Sequence, residues 1–244
     1  MLLRCLYAEH IKLRHSPVWL AFLLMPVLPA IMGTFNYLQN QAVLENGWYS
    51  LWSQHTLFEC YFFLPAIIAV YASYLWRLEH TGTNWNQTLT APLPVSLIFI
   101  TKFAMTAIMV IFTQFWIGLL FIIAGLLAGI QDSLPPQLIG WLFYGALGAV
   151  VVCALQLSIS LVIRNFAAPV AVAVAGGVGG LMMMAKGWGL WFPYSLISLG
   201  MNANNPQGDS MVSAEQFIFH CVFYLFIFCL FCIVWMKKRD IAAE

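Results

Sequence analysis

The sequence predicts an all-α polytopic membrane protein: six transmembrane helices, an N-terminal amphipathic interfacial helix, and a re-entrant segment before the last span. Three observations carry that prediction. Hydrophobic residues make up 62% of the 244 and charged residues 8%, against about 45–50% and about 25% in a soluble chain. A surface compatible with water cannot be assembled from that composition. Six uncharged runs, 15–44, 60–76, 103–131, 133–163, 165–185 and 216–236, reach or approach the length of about 20 mostly apolar residues that crosses a bilayer as a helix. These runs are apolar all round, which excludes the short alternating strands of a membrane barrel.

Residues 1–15 read as an interfacial helix, with Leu2, Leu3, Leu6, Tyr7 and Ile11 at helical spacing and Arg4, Glu9, Lys12 and Arg14 between them. Ser16 and Pro17 then fit an N-cap and a first helical residue. The first span should end near Tyr37. No cleavable signal peptide is expected, because the first apolar run begins late and contains Pro26 and Pro29. Trp48, Tyr49 and Trp52, ahead of the second run, fit an outer interfacial belt.

The segment 77–94, RLEHTGTNWNQTLTAPLP, is the longest connection at the opposite face. Pro92 and Pro94 limit any helix there, and a short one fits around 85–89. An exposed Trp85 among polar residues suits a partner interface better than a solvated linker. The stretch 187–208 is apolar and aromatic at first, broken by Gly189 and Pro193, and then polar; it is too interrupted to span and reads as re-entrant or interfacial. No repeat or domain boundary is evident, so residues 1–244 read as one membrane domain.

Lysine and arginine set the orientation. With the N-terminus inside, Arg4, Lys12, Arg14, Arg77, Lys102, Arg164, Lys237, Lys238 and Arg239 fall on the cytoplasmic side and only Lys186 falls outside, a clear positive-inside bias. Both termini are therefore expected in the cytoplasm. Ten basic residues against nine acidic ones leave no basic arm for nucleic acid.

The sequence contains no zinc-protease motif, no nucleophile elbow and no P-loop, so neither catalysis nor ATP binding is expected of this chain. Six cysteines lie almost wholly in apolar runs and form no disulfide framework, and Cys229 and Cys232 within a span read as small apolar residues. Glu59 is the one acidic residue placed within a span. It is read at the outer end of the second, where it can reach water or pair with His55 one turn earlier, and it is a candidate proton or cation contact. Lys102 reads as an anchor snorkelling to the headgroups. Gln114 and Gln156, with Ser158 and Ser160, suit interhelical hydrogen bonds or the lining of a transport path. Gly125 with Gly129, and Gly176 with Gly180, form small-residue faces for close helix packing. Pro26, Pro29 and Pro65 should bend their helices, while Pro169 can sit in a first turn.

The start LLRCLYAEHIKLRHSP, the loop RLEHTGTNWNQTLTAPLP leading through SLIFITK into the third span, the six spans and the broken segment GWGLWFPYSLISLG before the last together resemble an ABC transporter permease of the type-2 exporter class. More narrowly, they resemble the lantibiotic-immunity and bacitracin-resistance permeases of Gram-positive bacteria. The resemblance implies a bacterial cell-membrane protein with a connecting helix at the N-terminus and a coupling helix between spans two and three. By that likeness Arg77, Glu79, His80, Asn84 and Trp85 are near an ATPase, with Arg4, Glu9, Lys12 and Arg14 beside it. It further implies two ATPase subunits carrying ATP and Mg, a second permease half, identical or related, and an amphipathic peptide as cargo. Two other functions stay open at this point: a proton-coupled secondary transporter using Glu59, and a non-transport membrane assembly subunit.

Overall fold

The computed structural model describes residues 1–81, 93–203, 205–208 and 212–238. Helix is the regular structure of the described residues, and six helical segments are long and apolar enough to cross a membrane: Val18–Gln39, Gly47–His80, Val95–Leu127, Leu138–Val162, Ala167–Ala185 and Ala214–Lys238. The chain is therefore a multi-pass membrane protein, as the uncharged runs predict.

Helix α1 (Leu2–Leu13) leaves Leu3, Tyr7 and Ile11 exposed along one stripe and turns Glu9 and Leu13 inward. The corner into the first span is tight. Ser16 donates its backbone N–H to Leu13 O, and the Trp19 indole N–H reaches the same carbonyl at 2.8 Å. Ser16 does not act as the expected N-cap: its hydroxyl has no partner among the described residues, and Pro17 occupies the cap position. The first span is split into α2 (Val18–Leu24) and α3 (Val27–Gln39). Pro26 cannot donate a backbone N–H, which accounts for the break.

The second span starts earlier than the charge pattern suggests. Helix α4 (Gly47–Phe58) runs through a π turn, Glu59–Phe63, into α5 (Leu64–His80). Pro65 lacks the N–H that would bond Tyr61 O, and a widened turn N-terminal to a proline relieves that loss. Gly177 of the fifth span packs on Tyr61 O, where any side chain would collide. Trp48 and Trp52 are core residues, not the interfacial belt expected of them. They are 3% and 0% exposed and donate to Asp132 O at 2.8 Å and Met201 O at 2.9 Å. Among the described residues, the strongly exposed indoles are instead Trp188 and Trp191.

Helix α6 (Val95–Leu127) is the third span, α7 (Leu138–Val162) the fourth and α8 (Ala167–Ala185) the fifth, with Pro169 in its first turn. A 3₁₀ turn (Gly189–Trp191) and the short α9 (Ser195–Gly200) form the broken segment, and α10 (Ala214–Lys238) is the last span. Helix α9 is buried against α7, where Gly148 and Gly200 permit backbone-to-backbone contact. Of the predicted small-residue faces, Gly125 packs on Trp48, Gly176 on Tyr194 and Gly180 near Ser195. Gly129 instead ends the third span with φ +76° and open space around it. All six cysteines are free.

Candidate functional site: an ion-paired junction of three helices

A lysine two turns inside an apolar helix must reach water or find a carboxylate. Lys102, seven residues into α6, finds two. Its ammonium donates to Glu9 Oε2 at 3.0 Å, Glu79 Oε1 at 2.9 Å and Leu75 O at 3.2 Å, which uses all three of its hydrogens. Lys12, three residues after Glu9 on α1, donates to Glu9 Oε1 at 2.8 Å and to the same Glu79 oxygen at 2.7 Å. Among the described residues, two cations and two carboxylates thus meet in one network.

Burial sets the stakes. Lys102 is 0% exposed, Glu79 1% and Glu9 7%, while the Lys12 side chain keeps 39% of its surface. Burial works against the charged form of Lys12, but the charges and hydrogen bonds of Glu9 and Glu79 outweigh it and hold its pKa above the usual 10.5. The Lys102 ammonium also lies 5.3 Å from the centre of the Trp76 ring, a cation–π contact. Trp76 in turn donates its indole N–H to Leu157 O of α7 at 3.0 Å. Ser73 meets Ser160 at 3.1 Å, and the His80 Nε2 lies 3.4 Å from Ser160 O. One connected set of polar contacts therefore joins α1, the end of the second span, the start of the third and the end of the fourth.

Snorkelling is the wrong account of Lys102. Its charge points into the bundle because two buried carboxylates compensate it there. Glu9 and Glu79 likewise face inward, toward the Lys102 ammonium. Arg4, Arg14 and Arg77 are exposed, and the Arg77 guanidinium lies 5.9 Å from the centre of the Phe166 ring. Asn84 and Trp85, with the short helix expected around 85–89, lie outside the described residues.

The second group of polar residues sits within the bundle. Glu59 is 2% exposed and lies twelve residues into the helical run Gly47–His80. Its expected partner is engaged elsewhere, since His55 Nε2 meets Thr34 Oγ1 at 2.9 Å. The Oε1 of Glu59 and both terminal atoms of Gln114 are buried without a hydrogen-bond partner among the described residues. Gln156 donates to the Tyr194 hydroxyl at 2.7 Å and so staples the broken segment to α7. Ser158 donates to Ala154 O at 2.8 Å and meets Cys232 Sγ at 3.0 Å. The bonds to Tyr194 and Cys232 tie α7 to its neighbours while the bond to Ala154 O stays within α7, and no hydrogen bond among the described residues joins Glu59, Gln114 and Gln156 into one line. Trp76 and the pairing of Glu79 with Lys102 are absent from the sequence reading. The one available signal was a lysine inside a span with two glutamates near the ends of neighbouring helices.

None of the curated proteins compared with the chain matches it. The sequence model of a family described as ABC-2 family transporter protein matches residues 5–180, a stretch that runs from α1 into α8 and contains all four ion-pair residues. The chain thus belongs to the ABC-2 transporter family, as a membrane-spanning permease component of an ABC transporter rather than the ATPase.

Proposed function

We propose that this chain is the permease half of an ATP-driven exporter in a bacterial cell membrane, that both termini are cytoplasmic, and that the ion-paired junction carries force from a partner ATPase into the spans. The Lys102 network is the observation that supports this most. Pulling α1, α5 or α6 away from the others would strand a buried charge, at about 3–5 kcal/mol when one partner is lost. The three helices consequently move as one piece. Glu79 is next to last in α5, so the piece begins where the chain enters the 81–94 connection. Arg77, His80, Asn84 and Trp85, with the exposed Arg4 and Arg14, are the proposed docking residues. Two ATPase subunits carrying ATP and Mg would close and rock two permease halves, this chain paired with itself or a relative. The proposed cargo is an amphipathic antimicrobial peptide expelled from the membrane, in keeping with the resemblance to immunity permeases.

The test is purification of the tagged full chain from its native membrane in mild detergent, followed by an ATP hydrolysis assay. An ABC ATPase should co-purify with nucleotide-dependent activity, and Trp85→Ala should reduce its recovery. Repeated absence of any ATPase would overturn the reading.

A further inference from the structure

A groove of about 400 Å³ runs between α7 and α10, walled by Leu155, Ile159, Val162 and Ile163 on one side and Ile227 and Phe231 on the other. It presents no polar surface. Ser158 contributes to its lining but spends its hydroxyl on Ala154 O and Cys232. Val162, Ile163, Ile227 and Phe231 are all exposed, so the groove opens sideways from the bundle, where the surrounding medium is hydrocarbon.

The groove ends among cations. Lys238 lies two turns beyond Phe231 on the same helix face, about 10 Å along the axis at 1.5 Å per residue. Arg164 directly follows the wall residue Ile163, and both Lys238 and Arg164 are exposed. An apolar slot leading to positive charge at the membrane boundary matches a lipid with an acyl chain and an anionic headgroup, and basic residues there attract such headgroups. Both α7 and α10 end on the side of the bundle that holds the N-terminus, so the lipid belongs to the leaflet on that side. We propose that this groove is a binding site for an anionic phospholipid, one acyl chain lying between α7 and α10 and the phosphate held at Lys238.

Native mass spectrometry of the full chain in mild detergent, titrated separately with phosphatidylglycerol and phosphatidylcholine of identical chains, tests the site. Phosphatidylglycerol should be retained preferentially, and Lys238→Gln should cut that preference about fivefold, the effect of one basic residue near the anionic surface. Ile159→Trp and, independently, Ile227→Trp fill the groove and should remove the retained lipid. Ile139→Trp, at an exposed position near the other end of α7, should leave it unchanged. Equal retention of the two lipids by the wild type, or undiminished retention in both groove-filling variants, would overturn the proposal. A dimer that those variants dissolve would also overturn it, because the groove would then seat a second copy of the chain.

Discussion

Glu79 and Lys102 meet at 2.9 Å with side chains 2% and 0% exposed, from helices whose sequences are separated by the whole 81–94 connection. The pair is far more sensitive to loss of one partner than to loss of both. Lys102→Met takes one buried cation away from two buried carboxylates, and thermal unfolding in detergent should register a loss of about 3–5 kcal/mol. Adding Glu79→Gln removes one stranded charge and should recover part of that loss. Additive effects of the two substitutions would show that the pair is not energetically coupled.

Lys12 should behave differently because it keeps contact with solvent. Lys12→Gln should cost less than Lys102→Met, and the cost should shrink with added salt. Its pKa is raised in the folded chain, so its contribution is fully present below the unfolded value of 10.5 and is lost as pH rises through the higher folded value. The gap in melting temperature between the wild type and Lys12→Gln should therefore stay constant across neutral and mildly alkaline pH and close only above 10.5. A gap that already closes near neutral pH would contradict the pairing.

The six spans were legible because a membrane helix announces itself by uncharged length alone. Two of the site's features were not, for identifiable reasons. The sequence places Glu59 at the outer end of the second span, because the polar residues ahead of it resemble a loop. In the fold Thr56 bonds Trp52 O, His55 meets Thr34 and Asn36 bonds Gln54, so the polar stretch is satisfied by its own helix and by α3. Lys102 lies at a depth from which snorkelling is feasible, and its partners come from 93 and 23 residues away. No local spacing encodes such a meeting. The glycine faces were legible as close contacts, but their partners, Trp48, Tyr194 and the backbone of the broken segment, depend on tertiary placement.

Two glycines of α7 should respond to alanine in opposite directions. A Cβ at Gly148 would lie 2.5 Å from Leu196 C and 2.9 Å from Ile197 N. The obstacle is backbone and cannot rotate away. Gly148→Ala should destabilise by about 1–3 kcal/mol, the usual cost of overpacking, and loosen α9 from α7. Gly140 has open space around its Cβ position, so Gly140→Ala should be neutral or gain up to about 1 kcal/mol of helix propensity. Thermal unfolding of the two variants side by side checks both, and a harmless Gly148→Ala would mean that the broken segment is not held where the fold places it.

Glu59→Gln separates an ATP-driven permease from a proton-coupled one. The carboxyl is buried in the π turn with Oε1 unpartnered among the described residues, so an amide of nearly the same size removes an ionisable group without breaking a hydrogen bond seen there. Stability should change by no more than about 1 kcal/mol, because no cavity is created and no partner is stranded. If ATP hydrolysis on a partner supplies the work, export in proteoliposomes should keep its rate and its pH profile in this variant. A flattened pH profile with the fold intact would instead assign Glu59 to proton movement and make the Lys102 junction a structural clamp rather than a force-bearing one.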